Sequence, residues 1–451
     1  MRQNRRSQLV PSLGYLVIGV LLFIWLILPN DNTARLAIRF NLKRFQRALR
    51  RQPNESWVFA PPKFPVSLGV DTLVILKTGY GTKERVPAWF ESLTDESEFR
   101  GFLIVGDYAS QPGEHFKYNG SEYPVHDVVQ RTMRHKTLSA QTSHPRALKY
   151  RSFVDAISGG NNETALELAK SSGWELDALK FISALELAYE KYPNKKWVIL
   201  ADDDTYLVQH SLKPFLGQFD TKYPYYLGNA VGDFRVRFAH GGSAIILSQA
   251  AMRQLIVMNP RVVSKAHSES LSEIWGDRLL ARALIRAGVY LDENYCHLFN
   301  GEPPRLSRIR ADRFCSPILS FHQLASPSQM VSVGHIFENT SRPVLWIDLW
   351  DMYEAPTPWR RKTKLQQPRR NWDHVGQLDD AVSTFRNTAT AETCAKKCEK
   401  YFKTCMAWTW EPHSRHCHIS PWMIVGRAVK GKVSGLNSRR IRSLEMDCLV
   451  Y

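Results

Sequence analysis

The chain has 451 residues, enough for two or three domains, and 44% of them are hydrophobic, with 13 Trp. That composition is ordinary for a globular protein and excludes a chain with too little apolar matter to fold. Lys and Arg outnumber Asp and Glu by 60 to 43, but no nucleic-acid-binding module is visible, and much of the excess lies in two basic stretches, so it reads as stem and linker charge facing anionic lipid or acidic glycan.

At the N-terminus, Arg2, Arg5 and Arg6 precede a stretch from Val10 to Leu28 that is apolar apart from Ser12. Its length matches a bilayer core of about 30 Å. Pro29-Asn30-Asp31 follows in place of a small-x-small cleavage site, which predicts an uncleaved signal anchor with residues 1–9 cytosolic and the remainder lumenal. Residues 29–68 form the expected stem. Within it, Thr33 to Arg51 reads as a basic amphipathic helix lying on the membrane surface or starting the stem, and Pro53, Pro61, Pro62 and Pro65 mark an extended connector. All seven cysteines lie from Cys296 onward, and sequons fall at Asn54, Asn119, Asn162 and Asn339. Both features fit an oxidising compartment.

Residues 69–354 alternate short apolar strands with amphipathic helices, the signature of a mostly parallel α/β sheet. Asp71 to Thr78 is the first strand, ending in Lys77-Thr78-Gly79-Tyr80-Gly81, with a helix expected near Lys83-Glu84 and Arg85 in its first turn. A strand, a Gly-bearing loop and a helix N-terminus suit a diphosphate. Phe102 to Val105 is a second strand, and Asp177 to Tyr192 a helix feeding the next one.

That next stretch, Lys196 to Leu207, organises the chain. Trp197 to Ala201 is unbroken apolar sequence, as in a strand buried on both faces, and it ends in Asp202-Asp203-Asp204. A bare triple Asp also serves as a solvated turn or helix cap. After a fully apolar strand, however, like charges at the strand's carboxyl end call for a counter-cation, and a divalent metal takes hard oxygen ligands. Downstream, Gly241-Gly242 precedes the apolar strand Ala244 to Leu247. Asp277 sits at a helix N-terminus after Gly276, either as a cap or as a base for an incoming hydroxyl. His322 follows the apolar run Ile318 to Phe321, as a core histidine or a ligand.

Cys296 and Cys315 flank a Pro-bearing loop and are the expected bridge. Residues 355–384 read as a basic linker. Residues 385–451 read as a small disulfide-held module with Cys394 bonded to Cys417 and Cys398 to Cys405, one of three possible pairings, a zinc site being the rival. Cys448 is left over.

Three separated motifs, Lys77-Thr78, Ala201-Asp202-Asp203-Asp204-Thr205-Tyr206 and Phe238-Ala239-His240-Gly241-Gly242-Ser243-Ala244, resemble the Fringe-like branch of the inverting β-1,3-glycosyltransferases, glycosyltransferase family 31. Gly276-Asp277 and Ser320-Phe321-His322 fall in the order of two further motifs. The tail resembles a PAN/apple module, a combination similar to membrane-anchored fungal members. The resemblance covers roughly residues 70–350. It implies a Rossmann-like GT-A fold, a UDP-sugar donor, a glycan or glycoprotein acceptor, Mn²⁺, and a single-pass type II Golgi enzyme. It further implies that Lys77, Thr78, Arg85 and Asp202 contact the donor beside the Gly241-Gly242 hinge, that Asp203 and Asp204 hold the metal directly or through water with His322 as an added ligand, and that Asp277 is the base; the neighbouring Asp292 and Glu293 are the substitute candidates for that base. A metal-dependent hydrolase and a catalytically inactive binding protein are the rival readings.

Overall fold

The computed structural model describes residues 19–20, 23, 25, 27–49, 55–93, 98–354 and 367–448. The expected membrane span at 10–28 lies mostly outside these residues, as do residues 355–366 of the expected basic linker. Among the described residues no helix is long and apolar enough to cross a membrane.

The front domain is built on a six-stranded sheet. Its strands are β1 (Thr72–Lys77), β2 (Phe102–Gly106), β3 (Val125–Asp127), β4 (Trp197–Asp202), β5 (Tyr226–Gly228) and β6 (Ile245–Ser248), in the spatial order β3-β2-β1-β4-β6-β5. The β1–β2, β2–β3 and β1–β4 pairs are parallel, and β6 runs antiparallel to both β4 and β5. Every residue of β1 is buried, so the uninterrupted apolar runs read from the sequence are explained by cover on both faces. Alternate side chains enter two cores. Leu73, Ile75, Val198 and Leu200 pack with the helices α4 (Lys180–Lys191, named below with its neighbours) and Gln249–Ile256. Val74, Leu76, Ile199 and Ala201 pack on the other side with Trp89 and Phe215.

The helices that precede β4 include α1 (Thr33–Leu49), α2 (Arg85–Glu91), α3 (Asn162–Asp177) and α4, and α5 (Gly276–Arg286) follows the sheet. The single helix expected from Asp177 to Tyr192 starts instead at Lys180, because Asp177 ends α3 and the chain breaks at residues 178–179. Helix α1 forms where expected but is tied to the front domain rather than only extending from it. Arg47 pairs with Glu293 at 2.5 Å, and the Arg39 guanidinium lies 4.0 Å from the Tyr290 ring. Leu42, Phe45 and Leu49 remain exposed on its other side.

Chain order reverses between β1 and β4: the sheet grows one way through β2 and β3, then resumes on the opposite side of β1. Ligand crevices in open α/β sheets form at such a switch, at the carboxyl ends of the strands. Lys77 and Asp202, the last residues of β1 and β4, are register partners there.

The C-terminal module is a five-stranded antiparallel sheet of β7 (Arg369–Asp373), β8 (Ser383–Phe385), β9 (Ala407–Glu411), β10 (His416–Ser420) and β11 (Arg427–Leu436), in the order β7-β11-β9-β10-β8, with helices α6 (Ala391–Lys400) and α7 (Ser438–Cys448). Residues 369–373, read as linker from the sequence, are a strand of this sheet. Cys394–Cys417 and Cys398–Cys405 are disulfides, so the zinc alternative for these four residues does not hold.

The expected Cys296–Cys315 bridge does not form. Cys315 is bonded to Cys448, 133 residues away, and Cys296 is a free thiol. The reason is the way the module packs. Ile309–Arg310 of the front domain pairs with Trp422–Met423 of the module, and Arg305 and Arg369 converge on Glu354 from the two sides. Val375, Met406, Met423, Val425, Ile441 and Leu444 join one apolar core with front-domain residues. This packing carries α7 to Cys315.

Candidate active site

The carboxyl ends of β1 and β4 open into a cleft of about 780 Å³, a volume suited to a small-molecule ligand. Every site residue singled out from the sequence lines it: Lys77, Thr78, Arg85, Asp202, Asp203, Asp204, Gly241, Gly242, Asp277 and His322. The substitutes Asp292 and Glu293 do not. Asp292 turns back on Asn294, and Glu293 is paired with Arg47 and Arg237.

The three aspartates take three different roles. Asp202 lies 2.9 Å from the Lys77 ammonium, which is also 2.6 Å from Asp177 at the end of α3. Burial works against the charged Lys77, but the two carboxylates outweigh it and raise its pKa, so it is fixed as a cation. Asp203, expected among the metal ligands, has its carboxylate engaged by side chains of the protein itself. Its side chain turns inward, where Oδ2 accepts hydrogen bonds from the Thr78 hydroxyl at 2.7 Å and the Thr82 hydroxyl at 2.6 Å, and Oδ1 accepts from Arg85 at 3.2 Å. Burial pushes its pKa up to about 6 against these donors. Asp203 thus ties the β1 loop and the start of α2 to the β4 turn. Thr78 and Arg85 are committed to it, although Arg85 also reaches to 3.8 Å from Asp204.

Asp204 faces the cleft with His322, whose Nε2 is 3.2 Å from Asp204 Oδ1. Local pairing brings them together: Tyr206–Leu207, just after the triple Asp, pairs antiparallel with Ser320–Phe321, and Leu324 N–H donates to the Asp204 carbonyl. Burial alone would raise the Asp204 pKa. The His322 hydrogen bond and charge, with Arg85 and Lys77, overcome it and hold the carboxyl below its ordinary value. Burial likewise opposes the charge on His322, and Asp204 overcomes it to raise the imidazole pKa. Asp202, Asp204 and His322 each offer a ligand atom within 4.8 Å of the others.

The Gly241-Gly242 hinge is a short 3₁₀ turn, and the positive φ of this segment falls on Ala244 rather than on either glycine. Gly242 is required by close approach: a Cβ there would lie 2.1 Å from His322 Nε2. Gly276 serves α5 in the same way, since a Cβ would meet the Phe181 ring at 2.2 Å. That fit sets Asp277 in the first turn of α5, where Oδ2 accepts from Gly241 N–H at 2.8 Å and Oδ1 from Arg278 N–H at 2.7 Å. Asp277 is not the N-cap, a position held by Trp275. Burial raises the Asp277 pKa, with the two amides acting against it.

Asp177, Lys180, Asp107, His240 and Trp275 also line the cleft, without a role expected from sequence. Lys180 donates to the Thr78 carbonyl at 2.9 Å and pairs with Asp107 at 3.0 Å, bracing the β1 loop. Asp107 carried a signal, an acid directly after an apolar strand. Asp177 and Lys180 carried none, because their roles depend on the break between α3 and α4. Seven carboxylates line the cleft against four Lys and Arg side chains.

This is an α/β domain with an acidic, histidine-bearing cleft at its topological switch. Residues 163–355 match a family model described as Fringe-like, and residues 373–448 match one described as a PAN domain. The chain thus carries a Fringe-like domain followed by a PAN domain, and the Fringe-like match supports a glycosyltransferase. The matched region starts after β3, so Lys77, Thr78 and Arg85 lie outside it while facing residues inside it.

Proposed function

We propose that this protein is an inverting glycosyltransferase that moves a sugar from a UDP-sugar to a hydroxyl of a glycan or glycoprotein, forming a β-1,3 linkage with Mn²⁺ as cofactor. The observation that carries this reading is the convergence of Asp202, Asp204, His322 and Asp277 on one cleft whose carboxylates exceed its fixed cations. A diphosphate entering such a wall meets net repulsion unless a cation is bound. Two carboxylates and an imidazole fit Mn²⁺ better than Mg²⁺, which prefers oxygen alone. Asp202, Asp204 and His322 would hold it. When bound, the ion neutralises charge on the departing UDP.

The chain's own residues do the rest. Lys77, fixed as a cation at the switch point, adds positive charge beside the diphosphate. Asp277, oriented by two backbone amides and raised in basicity by burial, accepts the proton of the attacking hydroxyl. A single displacement from the opposite face inverts the anomeric centre. Trp174, Ile274 and Trp275 line the mouth with large exposed apolar surface, which suits the faces of acceptor sugar rings. Three disulfides favour an oxidising lumen, and we place the enzyme in the Golgi as a type II protein. Protease protection of the C-terminal bulk in sealed microsomes is the expected outcome, and its digestion from outside would refute that placement.

Thermal unfolding with a panel of nucleotide-sugars tests the central reading. A UDP-sugar should raise the midpoint with Mn²⁺ and lose that effect in EDTA. No stabilisation by any UDP-sugar, or free sugar released without acceptor, would overturn it.

A further inference from the structure

A second cluster of ligating side chains lies on the PAN module, away from the cleft. Strands β9 and β10 form a hairpin in which Glu411 is opposite His416 and Thr409 opposite His418. Strand alternation therefore puts Glu411, His416 and His418 on one face. Each offers an atom within 4.8 Å of the others.

A separate observation points to a ligand. His418 is 3% exposed, and its Nδ1 lies 2.8 Å from the Thr384 hydroxyl. Its Nε2 is buried without a hydrogen-bond partner and points toward Glu411 Oε1 at 3.7 Å, beyond hydrogen-bond reach. When Nδ1 carries the proton and donates to Thr384, the Nε2 lone pair faces a carboxylate oxygen. Buried polar atoms are normally satisfied, and a cation would satisfy both. The cation nearby is Lys432, 2.9 Å from Glu411 Oε1 and 3.5 Å from Asp373 Oδ2. It neutralises Glu411 but makes no bond to His418.

We propose that Glu411, His416 and His418 bind a divalent ion of the zinc class, with Lys432 as the competing cation. Two imidazoles and one carboxylate leave a fourth position for water in a tetrahedral set, and nitrogen donors select zinc-like ions over Ca²⁺ or Mg²⁺. His416 is partly exposed and gives the ion access. The ion would join β9 to β10 on either side of Cys417, whose disulfide ties the same hairpin to α6.

The test uses untagged full-length protein carrying Asp204→Ala and His322→Ala, which silences the cleft. Zinc titration by calorimetry should give one ion per chain, and Co²⁺ should give the visible absorption of a tetrahedral site. His416→Ala, at a partly exposed position, should weaken binding at least tenfold with an unchanged circular dichroism spectrum. Lys432→Met should tighten it at least threefold. Absence of binding at micromolar zinc, affinity unchanged by His416→Ala, or affinity unchanged by Lys432→Met would overturn the proposal.

Discussion

Asp277 and Gly242 carry the sharpest consequences for single residues. Asp277→Asn keeps the backbone-accepting geometry on one oxygen but removes the proton acceptor. Transfer should fall by about 10²–10⁴-fold, with UDP-sugar affinity by calorimetry changed less than threefold. The pH dependence follows from the same carboxyl. Burial raises its pKa, and a base works only when deprotonated, so kcat/KM should rise with pH through a midpoint above the ordinary carboxylate value of about 4. A midpoint at or below 4, measured at saturating Mn²⁺, would assign the limb to another group. Gly242→Ala forces a methyl against His322 and should weaken Mn²⁺-dependent donor binding at least tenfold; unchanged affinity would remove His322 from the metal set. Residue types were largely legible from sequence here, because acids after a buried strand and a Gly-Gly pair before another are local signals. Their division of labour was not. Asp203 shares one expected role with Asp204, yet the Thr78 and Thr82 hydroxyls and the Arg85 guanidinium, all from the segment after β1, hydrogen-bond to Asp203.

The elements show why some of the fold was readable and some was not. Strands β1, β4 and β6 carry unbroken apolar runs, Leu73 to Leu76, Trp197 to Ala201 and Ile245 to Leu247, because both faces are covered, and such runs stand out in any window. Helix α3 did not stand out. Its buried residues are Ala165, Ala169, Ser172 and Leu176, mostly small, while Leu166 and Trp174 are exposed. Small residues serve close packing there and blur the apolar stripe. Helix α5 gives a prediction at this scale. Its N-terminus rests on Phe181 through Gly276, so Gly276→Ala must push the first turn and Asp277 away. Transfer should fall at least tenfold while Mn²⁺-dependent UDP binding, held by β4 and His322, stays within about threefold. Equal losses in both would mean that the whole cleft depends on this contact.

The whole molecule is a front domain with its C-terminal module locked against it by strand pairing, a shared apolar core and the Cys315–Cys448 bond. Closing a loop of that length contributes up to about 5 kcal/mol by restricting the unfolded chain. Cys315→Ser should lower unfolding stability by a few kcal/mol in a denaturant titration, and a loss under about 0.5 kcal/mol would show that the packed interface alone sets the arrangement. Nothing local in the sequence pairs Cys315 with a residue 133 positions away. Proximity in sequence favours Cys296, and only the packing of the two domains decides otherwise.

The Cys315–Cys448 bond also fixes what proteolysis would leave behind. A single cut anywhere within residues 355–366 divides the polypeptide between the two domains, yet both fragments stay on one covalent particle. Such a nicked species would migrate as intact protein on a non-reducing gel and separate into two bands once thiol is added.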